Sequence, residues 1–200
     1  MYIKKDLKKY LDDLASGRSV PGGGSASALA CALGTALSSM VSNFTVPAGK
    51  NTRGISSLQK ENESLRRKVQ VLIDKDVVVF LRLQDAFKLP RTSPQRPVLL
   101  EKSLKESAAV PFEVCRLASQ AITLCARISG TGKPALLPDA GCAVYLLDAA
   151  FKAAEINVRI NLKYIRDRKF YNAKIKALQK MSAGNEKNKL IVIKKVKEVL

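Results

Sequence analysis

Apolar residues recur at helical spacing along most of the chain, and no segment alternates as a half-buried strand would. Ile3, Leu7, Tyr10, Leu11 and Leu14 follow the i, i+4, i+7, i+8, i+11 rule and predict a first amphipathic helix. Gly17 is its expected stop, and Pro21 to Gly24 the loop beyond. Ser25 reads as the N-cap of a second helix reaching about Asn43, with a loop over 46–54. A third helix over about 55–87 carries Leu58, Leu65, Val69, Leu72, Ile73, Asp76, Phe80, Leu83 and Phe87 near one stripe, and it ends before Leu89-Pro90. A fourth runs from the Pro94–Pro97 region to about Ile128, with Pro111 expected to kink or split it. After a Gly/Pro loop over 129–138, a fifth helix is expected over about 139–169. A short helix to about Lys180, a polar break over Ser182–Asn188 and a last amphipathic helix with Ile191, Ile193, Val196 and Leu200 complete the chain. The pattern predicts an all-α, single-domain helical bundle with long central helices, residues 1–170, and a basic helical extension, 171–200, packed on or beside it.

Composition sharpens this picture. The 200 residues are 46% hydrophobic but only 6% aromatic, with no Trp, so Ala and Leu are expected to fill a core of closely packed helices. From Ser19 to Gly49 there is no charged residue. That run is long enough to span a bilayer, yet it carries Ser25, Ser27, Thr35, Ser38, Ser39, Ser42, Asn43 and Thr45, and its apolar residues are mostly small. It reads as a buried helix of a soluble protein, with no membrane partner. The first six residues lack the apolar core of a signal peptide. Cys31, Cys115, Cys125 and Cys142 form no C-x-x-C pair and there is no His, so no metal site is expected. Free thiols suit a reducing, cytoplasmic location. Without His, acid–base chemistry near neutrality falls to carboxylates, Lys, Tyr, Cys or bound water.

The chain carries 35 basic and 17 acidic residues, a net charge of +18. The excess is uneven: residues 152–200 hold 14 basic and 4 acidic residues, so +10 of the +18 lies in the last quarter. This charge reads either as a solvated basic surface or as a landing surface for a polyanion. Nucleic acid bound through the C-terminal region by a non-catalytic helical module is the alternative function it raises.

Four features break the pattern of a plain bundle. Pro21-Gly22-Gly23-Gly24-Ser25 puts three glycines ahead of a helix start, where free N–H groups favour an anion. It lacks the Lys-Ser/Thr ending of a phosphate-binding loop. Asp76 stands in an apolar stripe ahead of three valines. It is either a carboxylate whose pKa is raised toward a working range, or an edge residue paired with a nearby cation. Asn157 and Asn161 are four apart and share a face, where they bond each other's backbone, a neighbouring helix or a ligand. Asp139 follows Pro138 at a helix start, where it either stabilises the helix dipole or lines a site.

In order, these segments resemble the cyclodeaminase/cyclohydrolase family of folate one-carbon enzymes. The matching text is Leu14-Ala15-Ser16-Gly17, Pro21 to Ala26, Met40 to Thr45, Asp76 to Phe80, Ala86 to Arg91, Val110-Pro111, Asp139 to Ala143 and Asn157 to Leu162. It covers about residues 1–165. Pro138 stands where the family usually has Ser, and the loop after Thr45 lacks the usual Lys/Tyr-rich stretch. The resemblance implies a homodimeric enzyme acting on a tetrahydrofolate one-carbon adduct. Its reaction would be formimidoyltetrahydrofolate cyclodeamination or 5,10-methenyltetrahydrofolate cyclohydrolysis. It implies Asp76 and Asp139 as an acid–base pair, with no cofactor beyond the folate substrate. Gly22, Gly23, Gly24 and Ser25 would face the ligand, Asn157 and Asn161 would hold the pterin or orient water, and Lys88 and Arg91 would meet glutamate carboxylates, including those of a polyglutamate tail.

Overall fold

The computed structural model describes residues 1–45, 53–131 and 133–200. Among them, six α-helices make the fold, with two single 3-10 turns and no strand: α1 (Leu7–Ala15), α2 (Gly23–Thr45), α3 (Arg53–Lys88), α4 (Arg96–Ser129), α5 (Leu137–Leu162) and α6 (Arg168–Lys197). The expected loop over 46–54 falls mostly outside the described residues; within them, α3 already begins at Arg53.

The short connections make successive long helices antiparallel. α2, α3, α4 and α5 form an up-down-up-down bundle in which each packs on the next and α5 closes back on α2. α6 lies along α4 and α5 and runs parallel to α4, as Asn185 bonding Ser119 and Asn188 bonding Thr123 show. The core is aliphatic and small: Val69, Ile73, Val114, Leu117, Ile122, Leu124, Leu147 and Phe151 are fully or almost fully buried. Ala28, Ala118, Ala121, Ala143 and Ala150 let the backbones approach between them. At Gly34 the approach is closest: a Cβ would lie 2.8 Å from Leu147 Cγ and 3.0 Å from the Ala143 carbonyl. Residue 34 thus fixes the α2–α5 crossing near the middle of both helices.

Several local expectations need correction. Ser25 is not the N-cap, because α2 starts two residues earlier, at Gly23. α5 stops at Leu162, and residues 163–167 turn the chain before α6 starts on its Asp167 cap, which accepts the Phe170 N–H at 2.9 Å. The polar stretch Ser182–Asn188 does not break α6, because Asn185 is buried there and accepts the Ser119 hydroxyl at 2.6 Å. Phe80 and Phe87 are half-exposed, and Val79 and Ala86 are buried in their place. Pro111 neither splits α4 nor ends it.

The N-terminal segment is tied down. Asp74, buried on α3, accepts the backbone N–H groups of Tyr2 and Ile3. The Tyr2 ring then meets Tyr10 edge-on, with centroids 5.4 Å apart. This places α1 across the start of α2 and orients Tyr10 inward.

Candidate active site

At one end of the bundle, the start of α2, the middle of α3, the start of α4 and the end of α5 surround a cavity of about 150 Å³. Ser19, Val20, Gly22, Gly23, Gly24, Asp76, Val79, Phe80, Ser107, Asn157, Ile160 and Asn161 line it. The Pro-Gly-Gly-Gly loop, the α3 carboxylate and the two α5 amides, far apart in sequence, therefore share one wall-to-wall site.

Gly24 is the reason Asp76 can sit there. A Cβ at residue 24 would fall inside the Asp76 carboxylate, so only glycine leaves space for the group. Burial lifts the Asp76 carboxyl above its ordinary value of 3.8, and the Ser25 backbone N–H, donating to it, offsets part of that rise. Among the described residues no cation pairs with Asp76, which favours a desolvated carboxyl over an ion-paired one. The first turn of α2 thus serves an anion, but an internal one. Ser25, itself buried, also pairs through Oγ with the Tyr10 hydroxyl at 3.1 Å. Burial and the nearby Asp76 charge raise the Tyr10 phenol in turn. Sequence periodicity placed Tyr10 only in the apolar stripe of the first helix; a buried phenol needs a hydrogen-bond partner, and that requirement is the signal that could have linked it to the site.

On the opposite wall, Asn157 Nδ2 donates to the Ala153 carbonyl at 2.9 Å. Asn161 Nδ2 donates to the Asn157 carbonyl at 2.8 Å and to the Ser107 carbonyl at 3.2 Å. The last bond explains Pro111. Proline has no N–H, so Ser107, four residues earlier in α4, has a carbonyl that no helical donor fills. Asn161 takes it. Asn161 thereby has both of its N–H groups committed and Asn157 one of its two, and among the described residues no donor reaches either Oδ1. Each amide keeps an acceptor oxygen beside the cavity, and Asn157 also keeps one N–H, its Nδ2 lying 3.4 Å from where a Gly23 Cβ would stand.

Three of the expected residues stand elsewhere. Asp139 lies in the first turn of α5, eighteen positions and so about 27 Å along the helix from Asn157. Its neighbours Ala140 and Gly141 pack on Cys125 and Val196, at the far end of the bundle. Within one chain it does not pair with Asp76. Lys88 ends α3 and pairs with Asp85 at 2.9 Å, and Arg91 is exposed in the α3–α4 connection; neither lines the cavity. A larger groove of about 590 Å³ between α2 and α3 contains Glu63, but Arg66 and Arg67 hold that carboxyl down to about 2, so it cannot exchange a proton near neutrality. Burial pushes the Cys31 and Cys125 thiols up to about 12 and also raises Cys115, so these are packing groups.

Residues 6–180 match the family model described as formiminotransferase-cyclodeaminase. The chain is 33% identical over 184 residues to a methenyltetrahydrofolate cyclohydrolase from Methylorubrum extorquens, covering 88% of each chain. It is 29% identical over 179 residues to the mouse formimidoyltransferase-cyclodeaminase, covering 82% of this chain but 32% of that longer protein. The crystal structure of formiminotetrahydrofolate cyclodeaminase from Thermotoga maritima superimposes with a TM-score of 0.90 at 28% identity, over 100% of this chain and 99% of that one. This chain belongs to the formiminotransferase-cyclodeaminase family.

Proposed function

We propose that this protein is a folate one-carbon enzyme that works at the carbon bridging N5 and N10 of tetrahydrofolate, with Asp76 as its proton-transfer group. The observation that carries the reading is a carboxyl lifted by burial, held over Gly24 and opposite two amide oxygens, in a chain of this family. The amide oxygens of Asn157 and Asn161 suit the N–H edge of a pterin. The desolvated carboxyl suits a substrate whose reacting carbon is a cationic amidinium.

Two reactions fit one geometry. In the hydrolytic direction, water adds to the methenyl carbon and its proton passes to Asp76. The tetrahedral carbon then sheds N5, Asp76 returns the proton to N5, and the hydroxyl gives its remaining proton to solvent as it becomes the carbonyl of the formyl group on N10. In the deaminating direction, N10 attacks the formimino carbon on N5 and loses its proton to Asp76. Asp76 passes that proton to the departing nitrogen, ammonia leaves, and the methenyl bridge forms. Each step needs a carboxyl that accepts and releases a proton near neutrality, which an ordinary exposed Asp does poorly. The protein acts as a homodimer, and the polyglutamate tail of cellular folates is drawn by its basic surface.

Supplying methenyltetrahydrofolate and formiminotetrahydrofolate in separate assays and following the methenyl absorbance tests the proposal. Enzyme-dependent disappearance of the methenyl species identifies the hydrolase, and its appearance from the formimino substrate identifies the deaminase. Failure to change either rejects the reading.

A further inference from the structure

α6 carries ten basic residues and one acidic residue, and the helix sorts them by direction. Three lysines are used by the fold. Lys174 lies over the Phe112 ring, 3.7 Å from its centroid. Lys189 pairs with Asp148 at 3.2 Å and with Glu186 at 2.7 Å. Lys195 Nζ stands 3.0 Å from where a Gly130 Cβ would be, against the end of α4. Five others, Lys169, Lys176, Lys180, Lys187 and Lys194, are exposed, and among the described residues none is paired with a carboxylate.

These five form one row. Their spacing is seven, four, seven and seven residues, so at about 100° per residue they fall within a sector about 40° wide. The row is straight and about 37 Å long. Nearby carboxylates are already occupied: Glu113 by Arg116, Asp148 by Lys152 and Lys189, and Asp167 by Lys105. Glu198, just past the end of α6, is the first acidic residue to enter the sector. Solubility does not call for such a row. Glu alternating with Lys would wet the face equally and add ion pairs, whereas Lys176 and Lys180, four apart, repel each other.

We infer that this lysine ridge is a docking surface for duplex DNA, held through its phosphates without reading its sequence. A duplex carries one negative charge per about 1.7 Å of axis, so roughly twenty phosphates lie along the length of the ridge. That length is also close to one turn of the duplex, about 34–36 Å. The major groove, about 12 Å wide, admits a single helix. Lysine meets phosphate as a point charge and lacks the fork that reads guanine. Ala173, Ala183 and Ile191, which stand between the lysines, offer no side-chain hydrogen bond to a base edge. An anionic bilayer fits less well. α6 has its apolar side, Leu178 and Val192, buried against the bundle, and Leu190 and Ile191 are exposed together only toward one end of the ridge. The inference goes beyond the function proposed above and does not depend on it.

Fluorescence anisotropy of a labelled 30-base-pair duplex, titrated with the full chain at several salt concentrations, tests the inference. Five phosphate contacts predict a slope of log K on log salt of about −4.5, an affinity loss of about 500-fold between 50 and 200 mM. A chain carrying Lys176→Gln, Lys180→Gln and Lys187→Gln should keep its helical circular dichroism. Its slope should fall to about −1.8, a loss of about tenfold over the same range. Arginine at the same three positions should restore the slope. Removing equal charge elsewhere, with Lys60→Gln, Lys68→Gln and Lys102→Gln, should leave it unchanged. Duplexes of unrelated sequence should bind within about threefold of one another. Equal weakening by both glutamine sets would reduce the effect to net charge and overturn the ridge as the site. Absence of duplex binding at 50 mM salt, or tighter capture by phosphatidylserine vesicles than by duplex at that salt, overturns the inference. Discrimination of more than tenfold between sequences overturns it as well.

Discussion

Asp76 owes its properties to a glycine. With any side chain at residue 24 the carboxylate would be expelled from the cavity wall, so the shared requirement is for empty space rather than for flexibility. Gly24→Ala should therefore retain the bundle but displace Asp76, lowering kcat at least tenfold and costing about 1–3 kcal/mol of stability, as overpacking does; activity and chemical denaturation measured on the same preparation test this. Asp76→Asn should lower kcat by about 10² to 10⁴, the range of a lost general acid–base. Its stability should move the other way. Below the ordinary value of 3.8 the carboxyl is protonated in folded and unfolded chains alike, and burial adds no ionic penalty. As pH rises from there toward the lifted folded value, the unfolded chain releases its proton first, and the native protein loses stability with pH. The asparagine variant has no such loss. Its stability relative to wild type should rise between acid and neutral pH, and denaturation curves showing the opposite slope would contradict a desolvated Asp76.

At the scale of elements, α4 and α5 show how a helix defect becomes a functional contact. Pro111 leaves the Ser107 carbonyl without its helical donor, and the Asn161 side chain fills it at 3.2 Å. Asn161→Ala leaves that buried carbonyl unpaired and should cost about 1–3 kcal/mol, with KM raised by loss of the amide oxygen. Adding Pro111→Ala restores an N–H to α4 in reach of Ser107. The double variant should recover stability but keep the high KM, a split that urea denaturation and steady-state kinetics resolve. The sequence displayed the two halves of this contact, an interior proline and a pair of amides on an apolar stripe, but not their meeting, because it depends on α4 and α5 being antiparallel neighbours. The same division holds elsewhere. Helical period and the glycine run located four of the five long helices and three walls of the cavity. Periodicity misjudged which side of α3 is buried beyond Asp76, choosing Phe80 and Phe87 over Val79 and Ala86, because size does not report direction. It also broke α6 at a polar stretch that a buried Asn185 holds together. The Asp76–Asp139 pair came from the family resemblance, and periodicity does not show that five turns of α5 separate Asp139 from the cavity within one chain.

For the whole molecule, charge opposes the proposed dimer. Each chain is +18, with +10 of it in residues 152–200, mostly on and around α6. α6 packs on α4 and α5, while Leu33 and Phe44 on α2 and Tyr145, Ile156 and Ile160 on α5 are exposed. The charge excess lies away from α2, which carries no charged residue. Long-range repulsion between two such bodies weakens a dimer without touching its interface, and salt screens that repulsion once the Debye length, about 10 Å at 0.1 M, falls below the separation of the charges. An interface held by ion pairs would loosen as salt is added; a neutral apolar one should tighten. Sedimentation equilibrium between low and physiological ionic strength should therefore show the dimer dissociation constant falling by about tenfold, while capture of a long-tailed folate, drawn by the same charge, weakens over the same range. Opposite responses to one variable would assign the two to different surfaces of the molecule. A dimer that dissociates on adding salt would instead locate its contacts among the charged residues and away from α2.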